Sequence, residues 1–426
     1  MKEGYKKTEL GWIPEEWDVN TTGEIFEFIG GLSISREKLG EEGVNYLHYG
    51  DIHKRNENFI DLEVDEQWIP KFNEEYKNIK NGVKLETGDV VFADASEDYE
   101  GIGKSVSILN YDNKPFVAGL HTIVGKDRNN LLDEHYKRYC FSTKNIRKQF
   151  RVLATGTSVY GISRENIKKI KFLIPPLKEQ QKIAEILSTV DSQIDDTDNL
   201  IEKTEELKKG LMQRLLTKGI GHNEFKMTEV GEIPVEWEVK RFSDISKINQ
   251  GLQIAIEERF KEVAENRLPY ITIQYINDKS NIDNQFYIDN ANSSVVCYEE
   301  DILMTRTGNT GVVVTNEYGV FHNNFFKVDF NREVLIKDFL VYYLKSTQIQ
   351  KLILNYAGST TIPDLKHKDF YRIPVIIPSI EEQKHIADIL ISVDNEIKYY
   401  ENKKTKLEEI KKGLMQQLLT GKIRVV

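Results

Sequence analysis

The stretch GLMQRLLT at 210–217 returns as GLMQQLLT at 413–420, an offset of 203. Upstream, IPPLKEQQKIAEILSTVD at 174–191 pairs with IPSIEEQKHIADILISVD at 377–394 at the same offset. A third pair, TELGWIPEEWDV at 8–19 and TEVGEIPVEWEV at 228–239, opens each half at an offset of 220. The first half therefore holds 17 extra residues in its interior. An internal repeat fixes the architecture before any local reading does. One frame is used twice, around two different interiors.

The segments 178–217 and 381–420 read as long helices. In the first, Ile183, Leu187, Val190, Ile194, Thr197 and Ile201 alternate spacings of four and three, which is a coiled-coil seam. Leu207, Leu211 and Leu215 continue it after a shift of register. Ile386, Leu390, Val393, Ile397, Tyr400, Leu407, Leu414 and Leu418 mark the second seam. Pro175, Pro176 and Pro378 precede the helices, and Ser379 with Glu382 has the capping-box pattern. Gly219 and Gly421 stand where terminating glycines belong. Each helix would run about 40 residues, roughly 60 Å. Two matching stripes in one chain are expected to bury each other. A module precedes each helix, so antiparallel packing would put the modules at opposite ends of a rod. The rival is a dimerisation element joining two chains.

The modules, 1–173 and 221–376, are followed by helical segments 174–220 and 377–426. VNYLHYGDIHK (44–54) answers RLPYITIQYIND (267–278), and ETGDVVFADAS (86–96) answers YEEDILMTRTG (298–308). All four read as β-branched and aromatic strands bounded by turn residues. Residues 133–154 and 336–357 read as helices, each followed by a small polar loop at 155–163 or 358–366. The expected class is α+β: two β-rich modules joined by two long antiparallel coiled-coil helices, with a pseudo-twofold internal repeat.

Composition narrows the function. With 39% hydrophobic residues the chain can bury real cores. No apolar run approaches the roughly 18–20 residues of a membrane span. The first residues, MKEGYKKTELGW, lack a signal-peptide core, so a cytoplasmic protein is expected. Cys140 and Cys297 stand far apart, one per half, and read as buried thiols. A net charge of −10 argues against gripping nucleic acid by bulk electrostatics.

Catalytic motifs fail on inspection. Gly103-Lys104-Ser105 resembles the end of a phosphate-binding loop, but the required earlier glycine is Asp98. Pro363-Asp364 with Lys366 lacks a nuclease's second carboxylate. Asp94, Glu97, Asp98 and Glu100 read as an acidic surface loop. The histidines show no metal-ligand spacing. No catalytic residue, metal site or cofactor site is expected in this chain.

Recognition chemistry is better represented. In the first module Arg36, Lys38, Tyr46, His48, Tyr49, His53, Lys54 and Arg55 lie close together, followed by Thr157, Ser158, Tyr160 and Arg164 in the polar loop. In the second, Arg267, Tyr270, Gln274, Tyr275, Asn277 and Lys279 form the matching group. Arg306, Thr307 and Asn309 follow, then Ser359, Thr360, Lys366, His367 and Lys368. Arg and Lys suit guanine edges, Asn and Gln suit adenine edges, and hydroxyls suit phosphates. For any one of these residues a solvated surface is the competing reading.

The order module, helix, module, helix resembles the specificity subunit of type I restriction-modification enzymes. The matching stretches are GWIPEEW and GEIPVEW, the Gly-Asp-Val-Val-Phe and Glu-Asp-Ile-Leu-Met strands, and the Gly-Ser/Thr loops at 156–158 and 358–360. IPPLKEQQKIA and IPSIEEQKHIA at the helix starts, and the GLMQ ends, complete the set. Met304-Thr305-Arg306-Thr307-Gly308 resembles a common form in that family, whereas the first module has Phe92-Ala93-Asp94-Ala95-Ser96. The resemblance implies two target-recognition domains on double-stranded DNA, each reading half of an asymmetric, interrupted site. It implies helices that dock two methylation subunits, with restriction subunits as further partners. S-adenosylmethionine, ATP and Mg would be used by those partners and not by this chain. Half-sites about one DNA turn, ~34 Å, apart would suit such a rod. The rival reading is a two-headed adaptor that binds no DNA.

Overall fold

The computed structural model describes residues 3–289, 291–358 and 363–425. The chain divides into two compact units, Met1–Thr197 with Lys403–Val426, and Asp198–Asn402.

The first unit opens with a hairpin, β1 (Tyr5–Thr8) and β2 (Gly11–Pro14). Then come β3 (Asp18–Thr21), β4 (Glu27–Gly30), β5 (Val44–Leu47), α1 (Tyr49–Lys54) and β6 (Phe59–Asp61). They are followed by β7 (Val90–Ala93), β8 (Ala95–Ser96), β9 (Ser105–Leu109), β10 (Phe116–Ala118) and β11 (Thr122–Lys126). Helices α2 (Lys137–Cys140) and α3 (Lys144–Leu153), then β12 (Tyr160–Gly161) and β13 (Lys171–Ile174), lead into the long α4 (Leu177–Lys218). The main sheet has the order β4-β11-β7-β9-β6. Its central strand β7 is buried throughout. Alternate side chains of a strand face opposite ways. Accordingly Val90 and Phe92 join the cluster under α2 and α3, and Val91 and Ala93 join a second cluster with Leu47 and Ala118. A strand buried on both faces reads as one apolar run. Strand β13 pairs with β3, returning the chain to the start of the module just before α4.

The second unit repeats this plan. Its hairpin is β14 (Phe225–Thr228) and β15 (Gly231–Pro234), followed by β16 (Glu238–Arg241), β17 (Ser246–Gln250), β18 (Arg267–Ile271) and α5 (Ile273–Asn277). Next come β19 (Ile302–Thr305), β20 (Val313–Thr315), β21 (Gly319–Phe321) and β22 (Phe325–Phe330). Helices α6 (Lys337–Lys345) and α7 (Thr347–Ala357), strand β23 (Pro374–Ile377) and the long α8 (Ile380–Leu418) complete it. The sheet order is β17-β22-β19-β20, and β23 pairs with β16.

In each unit the start of one long helix lies against the end of the other. Ile183 and Leu187 of α4 pack with Leu418 and Leu419, and the Asp191 carboxylate meets the Lys411 ammonium at 2.6 Å. In the second unit Leu215 and Leu216 pack with Ile386 and Leu390, and Lys208 meets Asp394 at 2.5 Å. Residue numbers run in opposite senses in both contacts, so the pairing is antiparallel.

Three expectations need correction. The seam of α4 has no shift of register. Leu207 is 53% exposed, and the alternation of four and three continues from Ile201 through Thr204, Lys208, Leu211 and Leu215. Two polar residues on the seam, Thr204 and Lys208, hide the pattern. The runs 44–54 and 267–278 are not strands to their ends. The His48 imidazole accepts from Gly50 N, and Thr272 Oγ1 accepts from Tyr275 N, so each strand stops where a side chain caps a helix. The runs 133–154 and 336–357 are each two helices. Thr143 and Ser346, at the common offset of 203, cap α3 and α7 and break the helical path.

Candidate nucleic-acid interface

Both modules are seated on their helices by the same contacts. Trp17 Nε1 donates to Glu179 Oε2 at 2.8 Å, and Trp237 Nε1 donates to Glu382 Oε2 at 2.8 Å. Tyr139 OH donates to Asp191 at 2.7 Å, and Tyr342 OH donates to Asp394 at 2.6 Å. Each tyrosine hydroxyl is held well above its ordinary range, first by burial and then by the neighbouring carboxylate. Ser379 Oγ accepts from Glu382 N as a cap should, but the Glu382 carboxylate bonds Trp237, His222 and Ile220 N. In the first unit Arg424 takes the place of His222, bridging Glu179 and Glu16 at 2.7 and 2.6 Å. His222 bridges Glu382 and Glu236.

The loops after the strands share a second frame. Tyr46 is buried, and its hydroxyl donates to Leu32 O at 2.7 Å and accepts from Ile34 N and Leu120 N. Tyr270 donates to Leu252 O at 2.7 Å and accepts from Ile254 N. Each tyrosine pins a Gly-Leu-x-Ile loop, 31–34 or 251–254. A Cβ on Gly31 would strike the Gly119 carbonyl, and one on Gly251 the Phe321 carbonyl, so only glycine admits this approach.

On this frame the end of the central strand carries opposite charges. In the first module Asp94 N donates to His121 O at 3.0 Å, and Asp94 O accepts from Ile162 N at 2.9 Å. In the second, Arg306 N donates to Asn324 O at 2.7 Å, and Arg306 O accepts from Leu365 N at 2.8 Å. The strand registers agree: Thr122 lies opposite Ala93, and Phe325 opposite Thr305. Asp94 and Arg306 therefore occupy one structural position. The Asp94 carboxylate pairs with His121 Nδ1 at 3.1 Å, and His121 has a left-handed φ of 56°. Such a conformation is costly for a residue with a side chain. Arg306 Nη2 reaches both oxygens of Asp364, at 2.8 and 3.0 Å, and its guanidinium lies 5.6 Å from the Phe326 ring centre.

Around Asp94 the structure gathers His53, whose Nε2 lies 2.8 Å from Ala95 O, and Tyr49, packed edge-on to His121. Tyr160 meets Tyr99 edge-on, and β12 pairs with β8. His48 is buried, and that burial lowers its basicity. Arg55 is tied to Asp65 at 2.9 Å. Arg36, Lys38, Lys54 and Arg164 are exposed and form no ion pair among the described residues; Thr157 and Ser158 are exposed as well. Lys104, the lysine of the phosphate-loop lookalike, donates to the carbonyls of His53 and Arg55 and so anchors this loop.

In the second module Gln274, Asn277, Asn309, Lys366, His367 and Lys368 are exposed, Tyr275 and Thr307 half-buried. Arg267 pairs with Asp289 at 3.2 Å and stacks 3.6 Å above the Phe260 ring, and Lys279 pairs with Glu317. Thr307 forms a bridge with Asp364, which brings the 306–309 loop to the 363–368 segment. Ser359 and Thr360 lie outside the described residues. Asp94, which reads in the sequence as acidic surface, Asp364, which reads as an incomplete nuclease motif, and His121 are not among the sequence candidates for DNA contact. The strand match of 86–96 with 298–308 sets Asp94 opposite Arg306, but no motif in the sequence points to His121 or Asp364 as their partners. Among the described residues no group of three or more His, Cys, Asp or Glu is placed to hold a metal ion, and no helix is long and apolar enough to cross a membrane.

The family model described as the type I restriction modification DNA specificity domain matches residues 14–206 and again 234–411. A Methanocaldococcus jannaschii protein assigned as the type I restriction enzyme MjaX specificity subunit is 29% identical over 442 aligned positions, covering 100% of this chain and 97% of that protein. The MjaVIII specificity subunit of the same organism is 25% identical over 100% and 97% of the two chains. Among solved structures, the S subunit of a type I restriction-modification system from M. genitalium superposes with a TM-score of 0.53 at 18% identity, covering 95% and 96% of the two chains. A chain from a study of complex assembly and conformational transition in the type I system gives 0.63 at 15% identity, over 96% and 99%. At those identities the structures speak for the fold, and the doubled family match falls on the two modules with their shared frame: this chain belongs to the type I restriction-modification DNA specificity subunits.

Proposed function

We propose that this chain is the non-catalytic, cytoplasmic DNA-reading subunit of a type I restriction-modification complex. Each module reads one half of an asymmetric, interrupted double-stranded site. Two methylation subunits dock on the exposed faces of α4 and α8 and on their GLMQ ends, and restriction subunits join them. The partners supply S-adenosylmethionine, ATP and Mg for N6-adenine methylation or cleavage. Flipping a base out of the stack suits that chemistry, with one adenine per half-site.

One observation carries this reading. The two modules share the Trp–Glu and Tyr–Asp seats and the tyrosine latch on the Gly-Leu-x-Ile loop, yet differ in charge at the end of the central strand, at Asp94 and Arg306. A scaffold kept constant under a varied polar tip is what two readers of different sequences require. With a net charge of −10, the chain needs its partners' basic surface for tight binding.

The test is to co-express the chain with its methylation subunit and to map N6-methyladenine across the host genome. One split, asymmetric motif, methylated once in each half on opposite strands, is the expected result. No new methylation from a demonstrably assembled complex would favour the adaptor that binds no DNA.

A further inference from the structure

Asp94 and Arg306 are one position of the frame with opposite charges, and each is held by a different partner. Resting on the DNA-reading function above, we propose that this position selects the base in each module. Asp94 accepts from the N4 amino group of cytosine, and Arg306 donates to O6 and N7 of guanine.

The base edges decide the assignment. In the major groove cytosine presents a lone amino donor, whereas adenine sets its amino group beside the N7 acceptor. A carboxylate only accepts, so beside adenine it meets a repulsive lone pair, and beside guanine it meets two. The Asp94 carboxylate is partly open, and among the described residues its side-chain partner is His121 Nδ1. At His121, which has a left-handed backbone, the imidazole Nδ1 lies 3.1 Å from the carboxylate.

Arg306 has the complementary equipment. Asp364 engages Nη2 alone, through both of its oxygens. Nε is buried with no hydrogen-bond partner among the described residues, so donation to a base falls to the Nη1–Nη2 end, where the two Asp364 oxygens share one Nη2 proton and leave the other. That end is a planar fork, and a fork matches O6 and N7 of guanine. The clamp from Asp364 and the Phe326 ring beneath fix its direction before any DNA arrives, which reduces the entropy lost on binding. The acidic Asp94, set aside in the sequence as ordinary surface, becomes the first module's counterpart of the arginine.

The test selects binding duplexes from a library randomised across the site, using the assembled complex with its methylation subunit. Wild type, Asp94→Asn, Arg306→Gln and Arg306→Lys are compared for preference at every base pair. Arg306→Gln is expected to lose about tenfold or more of a guanine preference at one base pair of one half-site, leaving the other half unchanged. Arg306→Lys, which keeps the charge and loses the fork, weakens the same position. Asp94→Asn loses a cytosine preference in the opposite half. Unchanged preferences in both halves, with or without a uniform drop in affinity, overturn the assignment. So does failure of both arginine variants to assemble, which would make Arg306 a structural residue. A wild-type complex without positional preference would instead sink the DNA-reading function itself.

Discussion

Lys137 and Asp127 form a buried ion pair in the first module, Nζ to Oδ2 at 3.2 Å, with side chains 4% and 0% exposed. At the offset of 203 the second module has Leu340 and Phe330, both in its apolar core. One frame thus accommodates an ion pair or two hydrocarbons. Removing one partner from a buried pair costs about 3–5 kcal/mol, because a bare charge stays behind. Replacing both by packed apolar groups is often close to neutral. Lys137→Leu should therefore destabilise the first module by about 3 kcal/mol or more. Lys137→Leu with Asp127→Phe should recover part of this, and not all, since Asp127 also accepts from the amides of Leu131 and Leu132. Denaturant unfolding of the three proteins decides it. A double variant less stable than Lys137→Leu alone would show that the two solutions are not interchangeable.

The His48 imidazole caps α1 through Nδ1, which accepts from Gly50 N at 3.1 Å. Burial holds its pKa below the ordinary 6.5. Arg36, His121 and Lys54 push the same way, and Asp51 opposes them. A lowered pKa means that the unfolded segment takes up the proton first. Stability is then full above about pH 6.5 and falls as the pH drops from there towards the folded value. Protonation also removes the acceptor that makes the cap. Hydrogen exchange of amides 48–55, corrected for intrinsic rates, should lose protection between pH 7.5 and 5.5. His48→Thr installs the residue that the second module uses at Thr272 and should flatten the dependence. An equal loss of protection in that variant would assign the effect to another group.

What the sequence disclosed and what it hid follow from the constancy of the offsets. The helices and seats recur at 203, and the module openings at 220, so Trp17 and Trp237, Asp191 and Asp394, and Lys208 and Lys411 can be matched by counting. Inside the modules the offset drifts. It is 220 at Gly31 and Gly251, 224 at Tyr46 and Tyr270, 212 at Asp94 and Arg306, and 203 again from Thr122 and Phe325. Loop-length changes between buried strands are tolerated cheaply, and they erase the register on which sequence comparison depends. The strand match of 86–96 with 298–308 already sets Asp94 against Arg306; their partners His121 and Asp364 come from other loops, and no side-chain pattern reveals them. The seam of α4 is hidden in the sequence for a related reason: Thr204 and Lys208 are polar, and the apolar Leu207 beside them faces outward.

That outward leucine bears on how the chain assembles. Gly210 and Gly413 lie inside α4 and α8, where glycine costs about 1 kcal/mol relative to alanine. A Cβ added at either would meet nothing within 4 Å, so packing inside this chain gives no reason for the glycines. Leu207 and Ile410, three residues earlier on the same face, are 53% and 51% exposed. An apolar side chain beside a bare backbone notch, repeated on both helices, is the surface that a docking helix needs. Under the proposed function, Gly210→Ala with Gly413→Ala should raise the melting temperature of the isolated chain while weakening its hold on the methylation subunits. Thermal unfolding of the chain alone and co-purification of the complex measure the two effects separately. Higher stability with undiminished assembly would place the docking contact elsewhere on the helices. Lower stability would mean that the glycines serve the chain's own fold after all.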